Sequence, residues 1–206
     1  MKFSLSLSLG VLLAGCAAPR TENVRACCRP HLAMTAGPAT QGSVYELAAK
    51  WQDDAGRAVQ LSDLRGRPVV ISMFYAACEG ICVITRDDMK DIEASLPAAL
   101  RSQVEFVLVT LDPKRDTVKS LRSYRSQEEL PEDRWRLLRG DPDSTTKLAE
   151  RLGVGFGRDG SGRFVHSSQI VVLDQMGRII QSQDGVHANL VAAGKVLEQA
   201  LDTPVQ

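Results

Sequence analysis

Pro68-Val69-Val70-Ile71-Ser72-Met73-Phe74-Tyr75-Ala76-Ala77-Cys78-Glu79-Gly80-Ile81-Cys82 is the stretch on which the fold turns. A short, nearly continuous apolar run bounded by Gly66 and Pro68 predicts a strand buried on both faces, and it leads straight into two cysteines with three residues between them. Past Cys82, the residues Ile84, Met89, Ile92 and Leu96 recur at roughly helical spacing, so a helix is expected over Val83 to Leu96. The cysteines therefore lie on a strand-to-helix turn. A helix N-terminus stabilises negative charge through its free N–H groups and its dipole, which lowers a cysteine pKa below its free value of about 8.5. Metal binding and thiol exchange both become accessible near neutral pH.

Outward from this stretch the elements alternate. Upstream, Tyr45-Glu46-Leu47-Ala48-Ala49-Lys50-Trp51 and Ala58-Val59-Gln60-Leu61 flank Asp53-Asp54-Ala55-Gly56-Arg57, which predicts a hairpin turning at the glycine. Downstream, Val104 to Leu111 is a second buried strand, closed by Asp112-Pro113 and followed by a helix started by Asp116 and running to about Tyr124. Trp135-Arg136-Leu137-Leu138 is a weaker strand candidate, and Asp143 or Ser144 is expected to cap a helix that ends at Leu152 before Gly153. Gly153 to Gly162 reads as a mobile loop. Its literal G-x-G-x-x-G at Gly155, Gly157 and Gly160 follows a helix and precedes a strand, the reverse of a dinucleotide fingerprint, so phosphate binding is not expected. The segment Arg163 to Asp174 leads into a strand, Met176-Gly177 turns it, Arg178-Ile179-Ile180-Gln181 returns antiparallel, and His187 to Leu201 is a last amphipathic helix. This order predicts an α/β, thioredoxin-like fold with an N-terminal β-hairpin extension and a central insertion.

The 206 residues, 44% of them hydrophobic, suffice for one core and a tail. Lys+Arg and Asp+Glu both total 25, so there is no basic footprint for nucleic acid and no polybasic membrane surface. The five cysteines, Cys16, Cys27, Cys28, Cys78 and Cys82, form three clusters that suit separate chemical tasks better than a disulfide framework. Lys2 precedes the apolar run Phe3 to Leu13, which reads as a signal peptide over residues 1–15. Leu13-Ala14-Gly15-Cys16 resembles the lipobox of bacterial lipoproteins, which implies cleavage before Cys16 and lipidation of that cysteine. The expected location is then the bacterial cell envelope, facing the periplasm and anchored to a membrane by lipid. Ala17 stands where such lipoproteins carry the aspartate that holds them at the inner membrane.

Residues 16–42 lack apolar periodicity and read as a flexible tether, with residues 43–206 as the folded domain. Within the tether, Cys27, Cys28, His31 and Met34 crowd soft or borderline copper donors into eight positions. They read either as a second metal site or as incidental thiols that oxidise between molecules.

On their own, Cys78 and Cys82 fit a plain disulfide, a redox pair or two soft metal ligands. Thioredoxin-type redox motifs use C-x-x-C; the extra residue here widens the loop, and Gly80 lets both sulfurs turn toward a common point. A histidine beside a strand is most often an ordinary surface or hydrogen-bonded residue. His166, however, stands just before a core strand, and in a thioredoxin-like topology that approach lies across from the cysteine turn. Two thiolates and one imidazole suit a soft metal, near-trigonal for Cu(I) and tetragonal with one added ligand for Cu(II). A closed zinc site would want a fourth protein ligand, and none is obvious.

Three ordered segments, Cys78-x-x-x-Cys82 after its strand, Val109-Thr110-Leu111-Asp112-Pro113-Lys114-Arg115-Asp116-Thr117 and Val165-His166-Ser167-Ser168-Gln169-Ile170, resemble those of the Sco (SenC) proteins. These are copper chaperones and thiol proteins of cytochrome c oxidase assembly. The resemblance implies that Cys78, Cys82 and His166 bind copper, that Asp112 lies near the site, and that the partner is the copper-site subunit of a respiratory oxidase or another copper or thiol protein. Asp112 reads equally as a strand-end turn before Pro113, or as a group supporting the ligands. The family usually has proline after the second cysteine, where this chain has Val83, a change that touches loop rigidity and redox potential rather than ligation. An alternative is a periplasmic thiol-disulfide oxidoreductase in which Cys78 and Cys82 cycle and His166 tunes a thiolate. A third is a binding domain with a structural disulfide. The copper reading, which requires no enzymatic activity, leads because His166 adds nothing necessary to a disulfide but completes a copper site.

Overall fold

The computed structural model describes residues 42–160, 164–184 and 189–202. The readings placed on Cys16, Cys27, Cys28, His31, Met34 and His187 lie outside the described residues. In chain order the elements are β1 (Trp51–Asp53), β2 (Ala58–Val59), β3 (Val69–Phe74), α1 (Ile81–Ser95), α2 (Ala98–Arg101), β4 (Glu105–Thr110), α3 (Val118–Gln127), β5 (Trp135–Gly140), α4 (Pro142–Leu152), β6 (Phe156–Arg158), β7 (Phe164–His166), β8 (Gln169–Leu173), β9 (Ile179–Asp184) and α5 (Leu190–Asp202).

Seven strands form one sheet in the order β2-β1-β5-β4-β3-β8-β9. β3, β4 and β5 run parallel, and β8 and β9 are added antiparallel on the far side of β3. That core is thioredoxin-like, as the element order predicts. Every residue of β3 and β4 is buried, and the strand period sorts their side chains between two cores. Val69, Ile71 and Met73 meet Leu148 and Leu152 of α4 on one face, while Val70 and Phe74 meet Met89 and Ile92 of α1, Leu121 of α3 and Leu197 of α5 on the other. Each such side chain contributes about 1.5–3 kcal/mol on burial. Ser72 is tolerated mid-strand because its hydroxyl donates to the Gln169 carbonyl at 2.6 Å.

Several boundaries differ from those predicted. The hairpin arms are shorter: Val44–Glu46 is a 3₁₀ turn capped by Ser43, and the ladder pairs only Trp51 with Val59 and Gln52 with Ala58. The hairpin joins β5 through Trp51, Gln52 and Asp53, extending the sheet at one edge. Helix α1 begins at Ile81, so Cys82 lies inside its first turn. Helix α3 is capped by Thr117, whose hydroxyl oxygen accepts from Ser120 N–H, and Asp116 points elsewhere. Helix α4 is capped by Asp141 with Pro142 at its first position, not by Asp143 or Ser144; Gly153, with φ +74°, ends it as expected.

Within the glycine-rich segment, Phe156–Arg158 is corrected from loop to strand. β6 pairs antiparallel with β7, Phe156 opposite His166 and Arg158 opposite Phe164, as a separate two-stranded ribbon. The segment leading into the core strand is itself partly a strand: Phe164–His166 forms β7 in the ribbon, and after Ser167-Ser168 the core strand β8 runs over Gln169–Leu173 in the main sheet.

Candidate metal centre

The site assembles at the C-terminal end of β3, where a parallel strand surfaces and the next helix begins. Cys78 lies in the connecting loop, half-buried, its N–H bonded to the Tyr75 carbonyl at 3.1 Å. Cys82 is buried in the first turn of α1. Gly80 precedes that helix and offers no side-chain cap; Val83 N–H turns to the Gly80 carbonyl at 3.0 Å, and the N–H groups of Gly80 and Cys82 face the Cys78 sulfur. His166 ends β7, and its Nε2 lies 3.0 Å from Cys82 Sγ. Its Nδ1 lies 2.8 Å from the Ser167 carbonyl oxygen. A carbonyl only accepts, so Nδ1 carries a proton, and Nε2 is the ring nitrogen that faces the sulfurs. One donor atom from each of Cys78, Cys82 and His166 lies within 4.8 Å of the others, and among the described residues no fourth His, Cys, Asp or Glu joins them. The two sulfurs are free thiols.

The cysteines are electrostatically unequal. The Cys78 thiol is held well below its ordinary range by a hydrogen bond from Cys82, aided by His166 and by the backbone N–H groups of Gly80 and Cys82. Cys82 is driven up by its bond to Cys78 and by burial. Of the two, Cys78 is the more readily ionised and Cys82 the more firmly protonated. Tyr75 is pushed up to about 12, first by burial and then by Cys78.

Aromatic and hydroxyl groups fix the imidazole. Tyr75 meets His166 edge-on at 5.7 Å and Phe164 at 5.1 Å. Ser167 N–H donates to the Gly155 carbonyl at 2.8 Å, and Gly155 N–H donates to the Ser167 hydroxyl at 3.0 Å. Ser168 and Thr85 share a hydroxyl hydrogen bond, and Thr85 donates to the Ile81 carbonyl at 2.9 Å, tying the histidine loop to the first turn of α1.

Tyr75 and Thr85 carry no functional mark in the sequence reading, and Asp116 is marked there only as a helix start. Thr85 stands one helical turn beyond Cys82, a spacing that could have shown it. Asp112 accepts from Arg115, and its own N–H donates to the Thr110 hydroxyl at 3.0 Å. The carboxylate that reaches the cysteine-bearing loop is that of Asp116, which accepts from Ala76 N–H at 3.0 Å.

Comparison with known proteins follows the same lines. The SCO1/SenC family model matches residues 35–200. A Stutzerimonas stutzeri relative named for copper binding is 30% identical over 145 residues, which make up 68% of each chain. Bradyrhizobium japonicum ScoI, solved with copper bound, superposes with a TM-score of 0.63 at 22% identity, covering 79% of this chain and 100% of its own. A SCO1/SenC family lipoprotein from Bacillus anthracis gives a TM-score of 0.68 at 17% identity, covering 77% of this chain and 96% of its own. These two structural likenesses bear on the fold.

Proposed function

Because the chain belongs to the SCO1/SenC family, we propose that it is a copper carrier of the bacterial cell envelope that holds its metal through Cys78, Cys82 and His166 and delivers it to the copper-site subunit of a respiratory oxidase. The observation that carries this reading is the convergence of three soft donors: His166 Nε2 lies 3.0 Å from Cys82 Sγ, its Nδ1 is engaged by the Ser167 carbonyl, and Cys78 joins the two within 4.8 Å. A redox dithiol has no need of a third donor, whereas a soft metal does. The three donors fit copper as cargo, since two sulfurs and one imidazole nitrogen match its preference and a fourth protein ligand for closed zinc is missing from the group. Cys78 contributes a ready thiolate, and Cys82 must release its proton when metal enters. Relatives support the cargo and the anchor: ScoI of Bradyrhizobium japonicum holds copper, and the Bacillus anthracis relative is a lipoprotein. Residues 1–15 then serve as the signal, Cys16 as the lipidated residue, residues 16–42 as the tether and residues 43–206 as the copper-binding domain.

Anaerobic titration of the reduced protein tests the site. One Cu(I) is expected per domain site, and the Cu(II) form should show a thiolate-to-copper charge-transfer band. His166→Ala should weaken binding while the domain stays folded, and Cys78→Ser or Cys82→Ser should nearly abolish it. Wild-type affinity in His166→Ala overturns the three-ligand site and puts the thiol-disulfide oxidoreductase in its place. Delivery is tested in cells, where Cys78→Ser should leave the oxidase short of copper, and the anchor by Cys16→Ser, which should end fatty-acid incorporation.

A further inference from the structure

β3 ends at Phe74, whose carbonyl accepts from Leu111 N–H at 2.7 Å. The chain must then leave the sheet and bring Cys78 to face Cys82 and His166. The direction of that exit depends on where the peptide groups of Tyr75 to Ala77 find partners. Ala76 N–H donates to Asp116 Oδ2 at 3.0 Å, and the same oxygen accepts the Thr110 hydroxyl. Asp116 is only 4% exposed. Burial pushes its carboxyl up from the ordinary range, against the two hydrogen bonds that hold it down. A carboxylate buried at that cost is not spent on starting α3, because Thr117 already caps that helix.

The segment that carries Asp116 is held from behind. Arg139 of β5 donates from Nε to the Asp116 carbonyl at 2.9 Å and from Nη2 to the Pro113 carbonyl at 2.8 Å. Its third nitrogen donates to Gln52 of β1 at 3.2 Å. A continuous path of hydrogen bonds therefore runs from β1, through Arg139 and Asp116, to the peptide two residues before Cys78.

We propose that Asp116 is a positioning residue for the metal-binding loop: its carboxylate fixes Ala76 N–H and so sets the line on which Cys78 meets Cys82 and His166, with Arg139 keeping Asp116 in register. The inference rests on the copper reading above and adds a residue that touches neither metal nor sulfur. Groups placed this way behind metal ligands change affinity by roughly 10- to 100-fold when removed.

The test uses the full chain. In the metal-free protein, amide exchange read by NMR should show Ala76 protected in the wild type, exposed in Asp116→Ala and protected again in Asp116→Asn, whose amide oxygen accepts the same bond. Cu(I) affinity by chelator competition should fall roughly 10- to 100-fold in Asp116→Ala and recover in Asp116→Asn. Thr110→Val, which removes the other donor to the same oxygen, should move both readouts in the same direction by less, and it carries the test if Asp116→Ala fails to fold. Unchanged Cu(I) affinity in a folded Asp116→Ala, or in Thr110→Val where that variant stands in, overturns the proposal, as does an asparagine variant no better than alanine. A wild-type protein that takes no copper yet shows the expected Ala76 exchange overturns the function proposed above and leaves the loop contact standing.

Discussion

Cys82 Sγ and His166 Nε2 stand 3.0 Å apart although 84 residues separate them in the chain. The sheet accounts for the approach. β3 and β8 are antiparallel neighbours with Ser72 opposite Ile170, so the chain leaving β3 and the chain entering β8 share one end of the sheet. Thr85 and Ser168 then join the two sides through their hydroxyls.

The inequality of the sulfurs is measurable without metal. Cys78, lowered by Cys82, His166 and two backbone N–H groups, is a thiolate at pH values where a free cysteine is still protonated. Cys82, raised by Cys78 and burial, keeps its proton. Iodoacetamide at pH 6 should label Cys78 and spare Cys82, as peptide mass spectrometry will show. Equal labelling of the two would contradict the assignment.

The β1–β2 turn is expected to be acid-sensitive. Burial raises the Asp53 carboxyl, but the backbone and side-chain hydrogen bonds and the charge of Arg57, with Ala55 N–H, outweigh it and hold the pKa below the ordinary value. A depressed acid contributes stability above its unfolded pKa and loses it as pH falls through the folded one. Asp53→Asn should therefore cost about 1–2 kcal/mol at pH 7, with the gap to wild type narrowing at pH 3. Urea melts at the two pH values decide it.

Two glycines should respond to alanine with opposite signs. A Cβ on Gly140 would stand 2.6 Å from the Trp51 ring, which packs flat on that strand, so Gly140→Ala should destabilise by about 1–3 kcal/mol. Gly194 lies within α5 with open space around it, and Gly194→Ala should stabilise by about 0.5–1 kcal/mol through helix propensity. Thermal midpoints of the two variants give the comparison.

The tether supplies a separate test. If Cys27, Cys28, His31 and Met34 form a second, weaker Cu(I) site, the full chain binds two copper ions, and Cys27→Ser with Cys28→Ser binds one and loads more slowly from a dilute donor. Equal stoichiometry and equal loading assign copper to the folded domain alone.

The central strands and the cysteine turn were legible because burial on both faces writes itself as an uninterrupted apolar run. Val69 to Phe74 and Glu105 to Thr110 leave little room for another reading. His166 stands out in the sequence through Val165, Ser167 and Ser168, but its own place at the end of a strand does not show there. Gly157 removes the side chain by which β6 would have shown an alternating pattern, and pairing with β7 makes the strand. Asp116 and Thr117 are both good helix caps in sequence; only the Ala76 N–H, forty residues earlier, assigns Asp116 to another task. The Asp141-Pro142 pair was a readable signal for the start of α4.

The β6–β7 ribbon shares no ladder with the seven-stranded sheet, and it bears the imidazole while the β3–α1 loop and α1 bear the sulfurs. Two-stranded ribbons are only marginally stable by themselves, far less so than a buried parallel core. Under the proposed function the grip on the cargo is thus unevenly founded: the thiolates rest against the main core, while the imidazole keeps its place through Tyr75 and the Thr85–Ser168 tie, so that releasing those few contacts would open one coordination position to an acceptor without unfolding the carrier.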